Sequence, residues 1–376
     1  MGLAKILRKG IFMMPLIASL ACGEKSPTQI KPFPFPSPVS SDSSGLLKLC
    51  TFNGTDSTCN LLHSGVAKID DATYILSACT HDLRLAPGKS DIIENMAIFV
   101  SEDGYRWRPM ENLRNPVMNA DDVDSTRIFS DPEVFNIRQG LLGLLERMPT
   151  DTADVIYERT TDLRTLSDYK VVLTASNNGL LSPTVLEIGD KFNLWAVDAG
   201  FSGCNSSESF LTRRVSSKYD DFKEARVDTA DAHIQGYALW HPDMIEGPSD
   251  TLILLIAAHP IGQECGNSDL FLGLGKSEDG LHFKIFGMPL KARGENRWLE
   301  AGVYRSTGEY DRASRKIRFI YSGFNRNFFE TKLVETEEYD FDKLISDLSA
   351  GNRPLPVPPA YLENFYLNGR EGRVAP

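Results

Sequence analysis

Three short motifs with a central proline recur along this chain: SDPEV at residues 130–134, LSPTV at 181–185 and WHPDM at 240–244. Each motif opens an apolar stretch that is rich in residues favoured in strands. Their spacing of roughly 50 to 60 residues is typical of folds in which one β unit repeats around an axis. The recurrence therefore predicts a radial, all-β architecture.

Each repeated unit continues in the same way. A second apolar run follows the motif, as in KFNLWAV at 191–197 and TLILLIA at 251–257, and a third strand then ends in a turn. The turn reads SEDG at both 101–104 and 277–280. An Asp-Gly pair supplies the positive φ that a tight hairpin into an outermost strand needs, so each unit contains four strands.

Two further units fit the same register, one beginning near residues 63–69 and the other at 300–306. Five units in phase predict an all-β, five-bladed β-propeller with four-stranded blades. We expect this propeller to occupy residues 46–330.

The two ends of the propeller region have different expected roles. We expect residues 46–52 to close the ring as a strand of the last blade, since an unclosed ring would expose a strand edge. Residues 331–376 should form a short C-terminal helix and a tail packed on the propeller. The helix is predicted within 335–348, where apolar residues follow one helical face.

The N-terminus has the parts of a signal peptide over residues 1–21: basic residues, an apolar stretch and small residues before Cys22. The end of this segment, SLAC, resembles a bacterial lipoprotein box, which implies acylation of the Cys22 thiol. Ser19 with Ala21 also fits cleavage without lipid, so both routes stay open. A Pro/Ser-rich tether follows at 22–45. We expect an exported lipoprotein of the outer membrane or cell surface, or otherwise a periplasmic or secreted protein.

The charge of the chain limits its partners. The formal net charge is −11 over 376 residues, and no Lys/Arg cluster offsets it. Because nucleic acid requires a basic footprint, we expect no nucleic-acid partner. The only long apolar run is N-terminal, so contact with a membrane is expected through the lipid alone. We expect a monomer.

These features resemble the five-bladed propellers of glycoside hydrolase families 43 and 32 over roughly residues 60–325. The resemblance rests on the proline motifs, the SEDG turns and the run Tyr304-Arg305-Ser306. It implies that the inner strand of each blade starts at the mouth of a central channel. Alignment of the five openings then places these residues in one ring: His63, Asp131, Ser182, His241 and Glu300. A side-chain period of two places three more residues one layer deeper: Glu133, Thr184 and Asp243.

The resemblance implies cleavage of a glycosidic bond by paired carboxylates. Asp131 and Glu300 are the candidate pair, and Asp243 is a third catalytic candidate. The chain departs from the family pattern at His63, where the family has its base, and at Ser182, where it has its acid. The expected partner is an oligo- or polysaccharide. The candidate substrate-binding residues are His63, Glu133, Ser182, Asp198, Trp240, His241, His259 and Asn325.

Two other functions stay open, namely non-catalytic glycan binding and protein interaction, because a fold supports many functions. The histidines and carboxylates of the ring also suit a divalent cation. Residues from separate blades provide no ligand-spacing motif, however, so we expect no essential metal and no other cofactor.

Export allows the cysteines to be read as disulfide candidates. Cys204 and Cys265 fall in matching hairpins of neighbouring blades, and a bridge between them would stiffen two loops at the mouth. Cys50 with Cys59 would close a local loop and leave Cys79 free. The sequence leaves other pairings open.

Overall fold

The computed structural model describes residues 61–350 apart from short gaps at 71–72, 83–92, 105–106, 111–112, 125–126, 138–139, 264, 266–269, 292–301, 325–330 and 337. The strands of the first three blades are β1 (Leu61–Asp70), β2 (Thr73–Asp82), β3 (Ile93–Ser101), β4 (Arg108–Pro109), β5 (Ser130–Ile137), β6 (Leu141–Pro149), β7 (Ala153–Thr161), β8 (Lys170–Ser176), β9 (Leu181–Ile188), β10 (Lys191–Asp198), β11 (Phe210–Ser216) and β12 (Val227–Ala230). The last two blades contain β13 (Tyr237–Glu246), β14 (Leu252–Pro260), β15 (Phe271–Ser277), β16 (Lys284–Lys291), β17 (Gly302–Asp311), β18 (Lys316–Phe324), β19 (Thr331–Glu335) and β20 (Tyr339–Asp340), followed by helix α1 (Phe341–Ser349).

The strands form five separate four-stranded antiparallel sheets, each a meander in chain order. In the last sheet, β19 and β20 both pair with β18. The five inner strands β1, β5, β9, β13 and β17 contact one another in sequence, and β17 contacts β1 to close the ring. The prediction of an all-β, five-bladed propeller is therefore confirmed.

The C-terminal helix is shorter than its predicted range. It begins at Phe341, after Asp340, whose side chain accepts a hydrogen bond from the Lys343 backbone N–H and so caps the helix. Phe341, Leu344 and Leu348 are buried in one core cluster with residues of the fourth and fifth blades. The expected closing strand at 46–52 and the segments 1–60 and 351–376 lie outside the described residues.

A shift of register interrupts every inner strand near its beginning, at the channel mouth. The shifts fall between Leu62 and Ser64 in β1, Ser130 and Glu133 in β5, Leu181 and Thr184 in β9, Leu239 and Pro242 in β13, and Val303 and Ser306 in β17. Such a bulge leaves a residue without its ladder partner and redirects its side chain. Proline lacks an N–H and is tolerated at bulges, which explains the central proline of the repeated motif.

The two SEDG turns join neighbouring blades. In each turn the serine hydroxyl accepts a hydrogen bond from the glycine N–H, at 2.8 Å in the first blade and 2.9 Å in the fourth. The Gly104 carbonyl accepts from Nη1 of Arg318 in the fifth blade, at 2.7 Å. The Gly280 carbonyl accepts from Nε1 of Trp195 in the third blade, at 3.0 Å. Each turn is thus fixed to the preceding blade around the ring.

Cys204 and Cys265 form a disulfide with a Cα separation of 5.0 Å, which confirms that pairing. Cys79 is buried and forms no disulfide with any described residue. Cys22, Cys50 and Cys59 lie outside the described residues. Within the part of the chain that the structure describes, no helix is long and apolar enough to span a membrane.

The Gly280 turn yields a test of blade docking. Gly280 has a φ of +71°, and an added Cβ would lie 2.9 Å from Cζ2 of Trp195. Gly280→Ala should lower the free energy of unfolding by about 2 to 4 kcal/mol, since backbone strain and overpacking act together.

Gly189→Ala is the matched control. Gly189 has a φ of +63°, but an added Cβ there meets no atom of the described residues within 4 Å. This variant should cost only about 1 to 2 kcal/mol of backbone strain. Urea denaturation of both variants measures the difference, and equal losses would contradict the proposed role of the Trp195 contact.

Candidate functional site

The bulges bring three ionisable side chains together at the mouth. His63 and Asp131 occupy bulge positions with positive φ values of 51° and 59°, and His241 lies at the bulge of β13. Ligand atoms of these three residues all lie within 4.8 Å of one another. All three side chains are almost fully buried. We call His63, Asp131 and His241 the mouth triad.

The two histidines retain unpartnered nitrogens. Nδ1 of His63 lies 3.0 Å from Oδ1 of Asp131. The two atoms lack hydrogen-bond alignment, and this nitrogen has no hydrogen-bond partner among the described residues. Nε2 of His241 is likewise buried without a partner there. Unpartnered buried nitrogens are uncommon and call for an explanation, such as a water molecule or an ion bound beside them.

Ser182 indicates the tautomer of His241. Its Oγ lies 2.8 Å from Oδ1 of Asp131 and 2.5 Å from Nδ1 of His241. The hydroxyl has one hydrogen, which it donates to the carboxylate, so Nδ1 of His241 donates to Oγ. Burial lowers the pKa of His241 well below its usual range, so the ring is neutral. Its Nε2 therefore presents a lone pair.

Arg147 holds the carboxylate of Asp131 in place. Its Nη1 donates to Oδ2 of Asp131 at 2.8 Å, and its Nε lies 3.1 Å from Oδ1 of Asp154. Burial alone would raise the pKa of Asp131, but His63 and the Arg147 guanidinium outweigh burial and hold that pKa well below its usual range. Asp131 is therefore ionised, with Oδ1 turned toward the histidines.

A second carboxyl group approaches the triad from β3. Oε2 of Glu94 lies 4.0 Å from Nε2 of His63. Burial raises the pKa of Glu94 to about 7. Behind it, the Cys79 thiol lies 3.8 Å from Oε1 of Glu146, and burial raises the pKa of both groups. Glu94 can thus exchange a proton near neutral pH, whereas Cys79 stays a neutral thiol.

Aromatic rings line the other side of the triad. The ring of Tyr304 lies 5.0 Å from that of His63 and 4.4 Å from that of His241, measured between centroids. Trp240 contacts His241 at 5.4 Å and His259 at 5.9 Å. The candidate residues Trp240 and His259 therefore form a second layer around His241.

The fifth inner strand differs from the sequence alignment. Its bulge contains Tyr304 and Arg305, so these two residues occupy the fifth position of the ring in the structure. Glu300, which the alignment placed there, lies outside the described residues, as does Asn325. Tyr304 and Arg305 were visible in the sequence as part of the fifth unit, but that unit lacks the proline that marks the register of the second, third and fourth units.

One layer deeper, four polar side chains meet at the propeller axis. The Thr184 hydroxyl oxygen lies 3.0 Å from Oε1 of Glu133 and 3.1 Å from Oδ1 of Asp243. Arg305 donates through Nη2 to Oε2 of Glu133 at 2.9 Å and through Nη1 to the Pro132 carbonyl at 2.9 Å. Burial raises the pKa of Glu133 and of Asp243. The catalytic candidate Asp243 thus belongs to this deeper layer.

Asp198 lies at the end of β10, where its Oδ1 accepts a hydrogen bond from the Gly200 N–H at 2.9 Å. This contact stabilises the turn that leads into the disulfide-linked loop at Cys204. The residue therefore has a defined local role in the loop, and its expected contact with substrate stays a prediction.

The mouth can perform two kinds of chemistry. Two histidines and one carboxylate are a donor set found in hydrolytic zinc sites and in other divalent metal sites. Alternatively, the two carboxyl groups differ in pKa, since that of Asp131 is lowered and that of Glu94 is about 7. One acid and one base of this kind are what general acid–base catalysis requires. A Ser-His-Asp triad does not fit, because Asp131 contacts the hydroxyl of Ser182 and leaves the far nitrogen of His241 without a partner among the described residues.

Comparison with solved structures finds the same fold in several enzymes. An N-acetylgalactosamine deacetylase from F. plautii, in complex with blood group B trisaccharide, is similar with a TM-score of 0.69 and 16% identity, covering 82% of this chain and 97% of that chain. An α-L-arabinanase from Penicillium chrysogenum with arabinobiose has a TM-score of 0.50 and 10% identity, covering 74% and 93%. An α-L-arabinofuranosidase variant from Fusarium graminearum with an iminosugar inhibitor has a TM-score of 0.50 and 11% identity, with the same coverage. No protein-family model and no curated protein sequence matches the chain. These likenesses show the fold.

Arg147 provides a test of the charge arrangement at the mouth. Arg147→Met would leave Asp131 and Asp154 buried without their counter-charge, so the free energy of unfolding of the metal-free protein should fall by about 3 to 5 kcal/mol. Arg127 is the matched control, since it pairs with the 88% exposed side chain of Asp151. Arg127→Met should change stability by less than about 1 kcal/mol. Urea denaturation measures both variants, and similar losses of unfolding free energy would contradict the role assigned to Arg147.

Proposed function

We propose that this chain is a metal-dependent hydrolase that removes an acyl substituent from an oligo- or polysaccharide. The mouth triad carries the proposal, because two buried histidine nitrogens without partners among the described residues converge with an ionised carboxylate. The fold supports the carbohydrate part, since its structural neighbours include a deacetylase and arabinan-degrading hydrolases with bound sugars. Acyl removal fits a centre built from the triad better than it fits a centre built from two carboxylates.

The described residues have different roles at this centre. His63, Asp131 and His241 would bind the ion, and such an ion activates water and polarises a carbonyl oxygen. Ser182 orients His241, and Arg147 orients Asp131. Such outer hydrogen bonds fix the direction of metal ligands.

Glu94 and Tyr304 have positions beside the triad that suit proton transfer and substrate contact. The pKa of Glu94, about 7, lets its carboxyl group take a proton from water and return it to a leaving group. The ring of Tyr304 is partly exposed and packs against both histidines. It would therefore form one wall against which a sugar ring can stack.

A second candidate is hydrolysis of the glycosidic bond itself. The observation that favours it is the pair of carboxyl groups with separated pKa values, Asp131 as the ionised group and Glu94 as the proton donor. The predicted partner Glu300 would serve the same role as Glu94. This reading leaves the unpartnered nitrogens of His63 and His241 without a use, and we therefore rank it second.

We further propose that the propeller works outside the cytoplasm, anchored through lipid on Cys22. The signal-peptide pattern of residues 1–21 and the Pro/Ser-rich tether support this proposal. The Cys204–Cys265 disulfide is consistent with it, since disulfides persist in oxidising compartments.

Measurements of bound metal and of acetate release test the proposed centre. The purified chain should bind about one Zn²⁺ or Mn²⁺ and release acetate from N- or O-acetylated oligosaccharides. His63→Ala and His241→Ala should each lower both metal content and acetate release, the latter by more than about 100-fold.

His282→Ala is the matched control for these variants. His282 is an exposed histidine that contacts Asp279 on the surface, away from the mouth triad. Its substitution should leave both readouts unchanged. Release of reducing sugar without acetate, unaffected by EDTA or by His241→Ala, would favour glycosidic cleavage instead.

Lipid attachment has its own test. When the chain is expressed in a bacterium with labelled palmitate, the wild type should carry label and sediment with membranes. Cys22→Ser should lose the label and become soluble, because one acylated cysteine supplies the anchor. Cys79→Ser changes a buried thiol and should keep both properties. Wild-type protein that appears in the medium without label would instead indicate ordinary signal-peptide cleavage after Ser19-Leu20-Ala21.

A further inference from the structure

A groove of about 320 Å³ lies between the third and fourth blades, on the same side of the propeller as the mouth. From the third blade it is lined by Phe210, which begins β11, and by Ala230, which ends β12. Phe210 pairs with Asp198, the last residue of β10, so this part of the sheet is its mouth end. From the fourth blade the groove is lined by Tyr237, which begins β13. The proposed chemistry at the mouth triad does not use this groove.

Strand β13 connects the groove to the mouth triad. Tyr237 precedes His241 by four residues on this strand. Because a strand rises about 3.3 Å per residue, the two residues are at most about 13 Å apart along it. A single sugar at the triad would leave the groove empty, whereas an oligosaccharide of a few units can extend from one place to the other.

The groove has an apolar floor and an exposed aromatic edge. The floor contains Ala230, Ala232, Ile234 and Leu239, which are all buried. At the edge, Phe210 is 50% exposed although it is a large apolar side chain. A sugar ring has one face of C–H groups that can pack on such a surface, and aromatic rings offer large, rigid contact areas for it.

Polar groups complete the lining. The Oγ of Ser209 is buried and has no hydrogen-bond partner among the described residues, which calls for a bound water molecule or a ligand. The side chains of Asp231 and His233 are exposed at the rim. The backbone of Asp231 is fixed to the fourth blade, because its N–H donates to the Leu281 carbonyl at 2.6 Å and its carbonyl accepts from the Phe283 N–H at 2.8 Å. Apolar walls with a few fixed polar groups are typical of small-molecule sites.

Two contacts between loops hold the groove in shape. The Cys204–Cys265 disulfide links the loop that leads into Phe210 to the loop after β14. The Ile261 N–H also donates to the Gly236 carbonyl at 3.0 Å, just before Tyr237. A preformed groove loses less conformational entropy when it binds a ligand.

We propose that this groove binds a sugar unit of the same oligosaccharide chain whose acyl group reacts at the mouth, several units away from the reacting sugar. The inference rests on the proposed action on oligosaccharides and adds a preference for chains longer than a disaccharide. One face of the bound sugar would pack on Phe210, and its hydroxyl groups would bond Ser209, Asp231 and His233. The carboxylate of Asp231 disfavours an acidic sugar, so the ligand class is a neutral oligosaccharide.

Binding to a printed array of neutral and acidic glycans, from monosaccharides to hexasaccharides, tests the groove. EDTA is present throughout, so that no turnover is required. The wild type should bind neutral oligosaccharides longer than a disaccharide and none of the monosaccharides. For the strongest ligand, calorimetry should show at least tenfold weaker binding by Phe210→Ala, whereas Phe210→Trp keeps the aromatic surface and should bind like the wild type.

Two further variants separate binding from folding. Ser209→Ala should weaken binding without lowering the Tm of the free protein, since its hydroxyl has no partner among the described residues. Val227→Ala is the matched control, because Val227 is also 50% exposed but lies at the end of β12 away from the groove. Its affinity for the same ligand should change less than twofold.

The opposite results would overturn the proposal. These are no array glycan bound by the wild type, equal affinity in Phe210→Ala, or equal weakening in Val227→Ala. A dimer that sedimentation detects in the wild type but not in Phe210→Ala would assign the groove to a second copy of the chain. Acetate release together with any of these results would reject the groove alone. Binding that depends on Phe210, without acetate release, would retain the groove and reject the hydrolase.

Discussion

The bulge at the start of each inner strand is the constraint on which the channel depends. In a regular ladder, the residue at this point would pair with the second strand and send its side chain along the sheet normal. The extra residue instead adopts positive φ at His63, Asp131 and Ser182, which turns these side chains toward the axis. Such backbone is sparsely populated and persists where surrounding contacts fix it. The hydrogen bonds of Ser182 with Asp131 and His241 supply such contacts.

Once the side chains meet at the axis, burial makes each charge depend on a partner from elsewhere in the fold. Asp131 stays ionised because Arg147 reaches it from β6, and Glu133 is paired with Arg305 from the opposite side of the ring. Neither cation neighbours its carboxylate in sequence. A buried charge without its partner is strongly destabilising, so the site and the closure of the ring are coupled. Loss of either arginine would therefore disturb both the site and the closure of the ring.

The proline motif explains how much of the site could be predicted. Wherever Pro132, Pro183 or Pro242 marks the bulge, the ring residue beside it was identified from sequence, because a missing N–H restricts where a strand can place proline. The first and fifth strands have no such proline. His63 was nevertheless placed at its bulge, whereas Glu300 was aligned to a position that Tyr304 and Arg305 occupy in the structure. Glu94 lies on the third strand of its blade and Arg147 on the second strand of its blade. The spacing of the repeated motif does not indicate which residues of these strands face the channel. The ring histidines come from separate blades, so no ligand-spacing motif marks them in the sequence.

The two layers of the channel differ in their polar groups, and Arg305 lies between them. Its guanidinium bonds the Pro132 carbonyl and Glu133, between Asp131 above and the deeper carboxylates below. The mouth holds two imidazoles beside the ionised Asp131, whereas the layer below holds Glu133 and Asp243, whose pKa values burial raises. A fixed positive charge between the layers disfavours passage of a cation from one to the other. The polar groups at the mouth are therefore separated electrostatically from the deeper carboxyl groups.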